Sequence, residues 1–326
     1  MNLNRLGALN MVDLMKLFRP RGDSENGSQR PTSQQATIAL GGGGARGIAH
    51  LGVLESIATS TVQIERVVGV SIGSLVGALY CVEGDVHRAM AQVIRLLDSS
   101  DFQLGQRLMC GVAPAADSES AGGSFGWYTR LRSVLSAHRK LTRAVTSSSL
   151  ISDAPLRDSI AQLIPDCDIA ETAVPISIVA ADLLTGQRIV LERGPLRLAI
   201  QASSAIPGIF PPVPWNGMLL CDIGVIETVP TLVAKTYNSD LTIAVDVGQS
   251  DTKVESCDTA MDVMMRMDDV GQRLMRRFYL NSADIVIRPD VGTRAWFDFT
   301  NPRRLIDAGR IATELSLNEF HRTSAA

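Results

Sequence analysis

Short apolar runs alternate along the chain with longer amphipathic stretches. Residues 37–40 (TIAL), 64–70, 176–181 (ISIVAA), 187–191 (QRIVL), 218–221 (MLLC), 241–247 (LTIAVDV) and 284–287 (DIVI) have the length and apolar character of strands. Helical spacing covers about 46–58, 72–80, 84–98, 127–142 and 154–164. Strands and helices in alternation predict an α/β fold with a mostly parallel sheet and crossover helices. Leu3, Leu6, Leu9, Met11, Leu14, Met15, Leu17 and Phe18 mark a one-sided helix over residues 1–18, and 19–35 is a polar stretch with Pro and Gly. The expected organisation is therefore an amphipathic segment with a flexible linker over 1–36, then one domain over 37–326. Residues 99–126 are rich in Gly, Ser and Ala, which suits either a lid or an ordinary surface loop.

Composition narrows the class. The 326 residues are 45% hydrophobic and 20% charged, an ordinary balance for a globular protein with a sizeable core. A net charge of -3 and the lack of a basic stripe argue against nucleic-acid binding. Five scattered cysteines (Cys81, Cys110, Cys167, Cys221, Cys257) show no metal or redox spacing and suit free thiols in a cytoplasmic, reducing compartment. The four histidines form no metal motif, so neither a metal nor a cofactor is expected. No apolar stretch reaches the roughly 18 residues of a membrane-spanning helix. Residues 1–18 leave room for a peripheral membrane contact or a partner-docking helix, against the plainer reading of a helix packed on the domain.

Two glycine-framed loops carry the chemistry, each at an expected strand-to-helix junction. The first is Gly41-Gly42-Gly43-Gly44-Ala45-Arg46-Gly47, and the second is Gly69-Val70-Ser71-Ile72-Gly73. Flanking Gly69 and Gly73 permit a strained elbow that exposes the Ser71 hydroxyl at the start of a helix. The Ile72 amide then faces a developing oxyanion, and the bare amides of the first loop serve the same purpose. That first loop also fits a dinucleotide fingerprint. The following strand, however, ends in Gly69-Val70-Ser71 rather than in the acidic residue a dinucleotide site wants. Arg46 is placed to support the loop or to attract an anionic head group.

A nucleophilic serine needs a base. His50 lies within a helical stretch and His321 near the end of the chain, so neither suits. Asp182, Asp222 and Asp246 each end an apolar run, and spacing alone leaves all three open. A buried carboxylate can take the serine proton directly, because burial raises its proton affinity.

These residues resemble the patatin-like phospholipase family, in particular its short bacterial members. The resemblance rests on Gly42-Gly43-Gly44-Ala45-Arg46-Gly47, on the Gly69 to Gly73 elbow, on the block from Ala202 through Pro207-Gly208 to Val213, and on Asp222-Ile223-Gly224. It spans about residues 37–290. It implies a three-layer α/β/α fold and a Ser–Asp dyad of Ser71 (nucleophile) and Asp222 (general base). It also implies an oxyanion hole from backbone amides among Gly42, Gly43, Gly44 and Ile72, and hydrolysis of fatty-acyl esters of lipids. Rival readings are an acyltransferase or thioesterase using the same acyl-enzyme, or a lipid-binding protein whose dyad has decayed. Two positions depart from the pattern: Ile223 stands in place of a glycine and Thr228 in place of the usual Asn. A left-handed backbone at Ile223 would cost roughly 1–2 kcal/mol. Asp222, Gly224 and Pro230 keep their places, which favours an ordinary backbone there with Ile223 packed on the pocket wall.

Overall fold

Strand β1 (Gln34–Leu40) is buried over its last five residues, and β2 (Val62–Val70) over its last four. Burial on successive residues marks strands covered on both faces, as in parallel sheets. The computed structural model describes residues 34–100, 102–103, 148–248, 254 and 256–324. The expected helices over 1–18 and 127–142, most of the linker, and residues 104–126 of the lid candidate lie outside the described residues.

A 3-10 turn (Gly44–Ile48) and helix α1 (Ala49–Ala58) follow β1, and α2 (Ile72–Glu83) and α3 (Val86–Leu97) follow β2. Asp85 caps α3 by accepting the amides of His87 and Arg88. Then come α4 (Ala154–Leu163), β3 (Ile176–Asp182), β4 (Gln187–Leu191) and α5 (Leu196–Ser204). Strands β5 (Val213–Trp215) and β6 (Met218–Cys221) precede the short helix α6 (Thr231–Ala234). The chain closes with β7 (Leu241–Val245), α7 (Ala260–Leu280), β8 (Ile285–Ile287) and α8 (Pro302–Ser324).

The sheet runs β5-β6-β3-β2-β1-β7-β8, with β4 also paired to β3. Pairings among β3, β2, β1, β7 and β8 are parallel, whereas β3–β4, β3–β6 and β5–β6 are antiparallel. Alternate strand residues face two apolar layers. Ile38, Leu40, Val67, Ile178 and Ile243 pack with Leu51 and Leu54 of α1, Leu79 of α2 and Leu305 of α8. Ala39, Val68, Val179 and Ala244 pack with Val233 and Ala234 of α6 and Leu280 of α7. The result is the expected three-layer α/β/α arrangement. Strands β2 and β7 flank β1 on opposite sides, so the chain reverses its direction of winding beside the carboxyl end of β1. Such switch points open a crevice at the strand ends.

Several elements depart from the sequence expectation. β1 begins at Gln34, inside the expected linker, because the Gln35 amide is held by Asp240 Oδ2 at 2.9 Å. Strand β5 contains Pro214 and is only three residues long, too short to leave an alternating signature. Helix α7 buries Asp269 and Gln272 and exposes Met264, Met267, Leu274 and Phe278, the reverse of the usual inside-outside rule, and neither it nor α8, which buries Leu305, Ile306 and Leu317, is among the expected helices.

Candidate active site

Ser71 stands between β2 and α2 with φ 55° and ψ −127°. A non-glycine residue with this backbone is strained by about 1–3 kcal/mol and is held there by its surroundings. The elbow's glycines make that possible. A Cβ at Gly69 would lie 2.5 Å from the Ser74 Cα, and one at Gly73 would lie 2.2 Å from the Leu40 carbonyl oxygen. Two side chains then fix the turn. The Ser71 amide donates to Ser203 Oγ at 2.9 Å, and Ser74 Oγ donates to the Ser71 carbonyl at 2.6 Å.

The first glycine loop lies over the elbow, pinned at every step. Gly41 N–H donates to the Val245 carbonyl at 3.1 Å, and Ala45 N–H donates to the Trp296 carbonyl at 2.6 Å. The His50 Nε2 is 2.8 Å from the Gly41 carbonyl, and Arg46 Nε donates to the Gly43 carbonyl at 3.0 Å. Gly44 has φ 58°, and any Cβ there would strike the Trp296 carbonyl. Gly42 requires a correction as an oxyanion donor: its amide already donates to the Thr228 carbonyl at 2.9 Å. Its lack of a side chain matters instead, since a Cβ there would meet the Ser71 Cβ at 3.3 Å. Gly44 and Ile72 line the cavity beside Ser71; Gly42 and Gly43 do not. Ile72 opens α2, where a helix's first amides have no acceptor of their own.

Arg46 is a buried support for the loop rather than a lure for head groups. Burial, with Arg276 nearby and only partly offset by Asp246, pushes its guanidinium down to about 10. His50 is wholly buried, and burial pushes its imidazole down to about 4, against the hydrogen bond to Gly41 and the charge of Asp246. It is neutral at ordinary pH and braces the glycine loop, which agrees with reading it as a packed helix residue.

The structure separates the three aspartates. Asp182 caps the turn after β3, taking hydrogen bonds from Leu219 and Leu184 amides and from Thr185 Oγ1, and these hold its carboxyl below the ordinary value. Asp246 is engaged by Arg276 at 2.7 Å and by the Gly248 amide at 3.0 Å. Asp222 is different. It is 4% exposed, and burial pushes its carboxyl up to about 6. The Ser71 hydroxyl beside it and the Gly224 amide, which donates to its Oδ1 at 2.7 Å, both oppose that rise. The Asp222 amide is itself anchored on the Ala205 carbonyl at 2.9 Å.

Ile223 keeps an ordinary backbone, since the only non-glycine residues with positive φ among those described are Ser71, Asn216 and Asn301. Its side chain packs not on the cavity wall but in the apolar layer on the α6–α7 face, with Val70 and Val179. Thr228 contributes its carbonyl to Gly42, which any residue could do, so the missing Asn does not disturb the loop.

Ser71 opens on a cavity of about 530 Å³. Its walls are apolar: Ile72, Leu75 and Leu79 of α2, Val93 and Leu96 of α3, Leu156 and Leu163 of α4, with Phe102, Phe297 and Phe299. This size lies within the range of ligand pockets. Sequence reasoning missed Ser203, Ser74 and the aromatic wall from residues 296–299. Only Ser203 carried a signal, by lying in the block before Pro207-Gly208, and nothing there distinguishes it from Ser204.

A family model described as Patatin-like phospholipase matches residues 38–235. The chain belongs to the patatin-like phospholipase family. An uncharacterized NTE family protein of Mycobacterium tuberculosis is 29% identical over 220 residues, covering 68% of this chain and 51% of that protein. Human patatin-like phospholipase domain-containing protein 6 is 29% identical over 242 residues, covering 72% of this chain but 15% of that protein. This patatin-like chain thus spans about half, or far less, of the curated relatives it matches. Among solved structures, VipD from Legionella pneumophila aligns over 89% of this chain and 67% of that one, at 14% identity and a TM-score of 0.47. No helix among the described residues is long and apolar enough to cross a membrane.

Proposed function

We propose that this protein is a serine acyl hydrolase that cleaves fatty-acyl esters of phospholipids, lysophospholipids or related lipids. One juxtaposition carries the reading: the Ser71 hydroxyl lies beside a buried carboxyl raised to about 6 and opens on an apolar cavity. An acyl chain in that cavity gains about 0.8 kcal/mol for each buried methylene. Its carbonyl carbon then meets Ser71 Oγ.

Asp222, as the carboxylate, accepts the Ser71 proton while Oγ forms a bond to the carbonyl carbon. The tetrahedral oxyanion is held by amides of the glycine loop and Ile72, each such donor lowering the barrier by about 2.7–4 kcal/mol. Collapse breaks the ester C–O bond, and the leaving alcohol takes the proton from Asp222. Water then gives its proton to Asp222 and attacks the acyl-enzyme. The fatty acid leaves and Ser71 recovers its proton. The names of relatives such as the human protein support lipid esters as the substrate class. We assign the activity to the cytoplasm, in peripheral contact with membrane lipid; the free thiols of Cys81, Cys167, Cys221 and Cys257 suit that compartment.

The test is fluorophosphonate labelling together with mass-spectrometric analysis of fatty acid released from mono- and diacyl phospholipid micelles. Wild type should label and hydrolyse. Ser71→Ala should lose both, and Asp222→Asn should lose most of each. A folded wild type that neither labels nor hydrolyses overturns the reading. Acyl transfer to added alcohols or thiols in excess of hydrolysis replaces it with the acyltransferase or thioesterase alternative.

A further inference from the structure

Glu227 is buried, five residues beyond Asp222, and does not line the cavity. Both of its carboxylate oxygens accept from Arg188 Nη1, at 3.1 and 2.9 Å. Arg188 stands on β4 opposite Ala181 of β3, and Ala181 packs into the apolar layer under α6 and α7. Residues directly opposite on paired strands share a face. Arg188 therefore meets Glu227 on that side of the sheet, away from the cavity. Burial raises the Glu227 carboxyl above its ordinary value, and the hydrogen bond and charge of Arg188 oppose the rise. Tyr279 of α7 feels both charges: burial and then Glu227 raise its phenol, and Arg188 lowers it. No step of the proposed hydrolysis uses these groups.

The turn that carries Glu227 joins the two halves of the site. It begins at Asp222, whose Oδ1 takes the Gly224 amide at 2.7 Å. The amides of Ile226 and Glu227 both donate to the Ile223 carbonyl, at 2.8 and 2.9 Å. Thr228 follows at once, and its carbonyl takes the Gly42 amide at 2.9 Å. One short turn thus has the base at its start and an anchor of the glycine loop at its end. Ile223 holds the start in the apolar layer, whereas Ile226 is 58% exposed. Of residues 224–227 only Glu227 is buried. A buried ion pair adds little net stability over apolar residues of the same size, but it demands one geometry.

We propose that Arg188 and Glu227 are a positioning pair that clamps the 222–228 turn, so that one contact sets both the aim of Asp222 at Ser71 and the seat of the glycine loop on Thr228. The catalytic part of this rests on the hydrolase reading above. The pair acts through geometry, since the shift at Asp222 comes from burial, Ser71 and Gly224. Its two members fail differently, because the Arg188 side chain is 38% exposed and that of Glu227 only 3%. Without Glu227, Arg188 turns to water and the turn loosens. Without Arg188, Glu227 fits its place only while it keeps a proton. Once ionised it is a lone buried charge, and its hydration draws the turn outward.

Hydrogen exchange of the full chain, read by mass spectrometry, tests this together with steady-state hydrolysis of a p-nitrophenyl ester. Glu227→Gln should speed exchange about tenfold in the peptides holding Gly42 and residues 222–228, and leave other peptides unchanged. Its kcat should fall about 10- to 100-fold at a nearly constant KM, while the climb with pH stays centred near 6. Arg188→Met should pass through a maximum and lose kcat as pH rises further, where wild type holds its plateau, with circular dichroism unchanged. Adding Glu227→Gln to Arg188→Met should abolish that loss and cost no more activity than Glu227→Gln alone, since the two residues act as one unit. Arg188→Lys should keep most of the activity. Variants that melt lower yet keep wild-type kcat and wild-type exchange at Gly42 overturn the proposal. So does an Arg188→Met profile that keeps the wild-type plateau. Exchange at Gly42 needs no turnover. It therefore decides the clamp even where wild type neither labels nor hydrolyses, the outcome that overturns the hydrolase reading itself.

Discussion

Ser203 Oγ accepts a hydrogen bond from the Ser71 amide at 2.9 Å and donates its own proton to the Val179 carbonyl at 2.7 Å. One fully buried hydroxyl therefore ties the proposed nucleophile to β3, the next strand of the sheet. Losing it leaves a buried amide and a carbonyl without a partner, which costs about 1–3 kcal/mol. It also frees a strained backbone to relax. Ser203→Ala is expected to lower stability by that amount and to slow fluorophosphonate labelling at least tenfold. Urea unfolding and labelling rates check both. A variant that labels at the wild-type rate would show that the elbow holds its shape without this tie.

The backbone of Ser71 gives a prediction that separates chemistry from strain. Its φ of 55° suits glycine and disfavours any residue with a Cβ. Ser71→Ala and Ser71→Gly both remove the hydroxyl, and both should be inactive. Only glycine also removes the Cβ. Ser71→Gly should therefore be more stable than Ser71→Ala by about 1 kcal/mol or more. Thermal melts of the two variants side by side decide it, and equal stabilities would mean that the elbow carries no strain.

Asp222 sets the pH dependence. Burial raises its carboxyl from 3.8 to about 6. The base form fills as pH rises through about 6, so kcat/KM should climb there and level off above. Stability moves the other way. Between 3.8 and about 6 the folded protein holds a proton that the unfolded chain has lost, so this contribution is present at low pH and disappears as pH rises through 6. Keeping the carboxylate buried above that pH costs up to about 3 kcal/mol. Asp222→Asn should thus melt higher than wild type at pH 8 and at nearly the same temperature at pH 4, while losing activity. A variant whose advantage does not grow with pH would rule out a raised carboxyl at this position.

Much of this site was readable from the chain because its demands are local. Gly69 and Gly73 are needed by contacts within five residues or across one strand, so a short motif records them. The choice among Asp182, Asp222 and Asp246 was not readable, since all three end strands. What divides them is long-range: Arg276 lies thirty residues from Asp246, and the Leu219 amide that holds Asp182 belongs to another strand. Gly42 shows the same limit. It looked like an oxyanion donor until the Thr228 carbonyl, 186 positions away, proved to hold its amide. The helix α7 escaped notice for a different reason, because its apolar stripe faces outward and its polar stripe is buried.

The cavity supplies a ruler for the acyl chain. Ile72, Leu75 and Leu79 line it from successive turns of α2, starting at Ser71. At 1.5 Å per residue, Leu75 lies about 6 Å and Leu79 about 12 Å along the helix from the serine. Added bulk at either position should shorten the longest acyl chain that fits, and more so at the nearer one. Leu75→Phe is expected to favour short-chain esters strongly. Leu79→Phe should spare medium chains and reject long ones. Overpacking should cost about 1–3 kcal/mol in each variant, so folded fractions must be matched before comparison. The measurement is kcat/KM across a series of p-nitrophenyl esters of increasing chain length. If both variants shift the profile by the same length, or neither does, the acyl chain does not run along α2 and the cavity serves another part of the substrate.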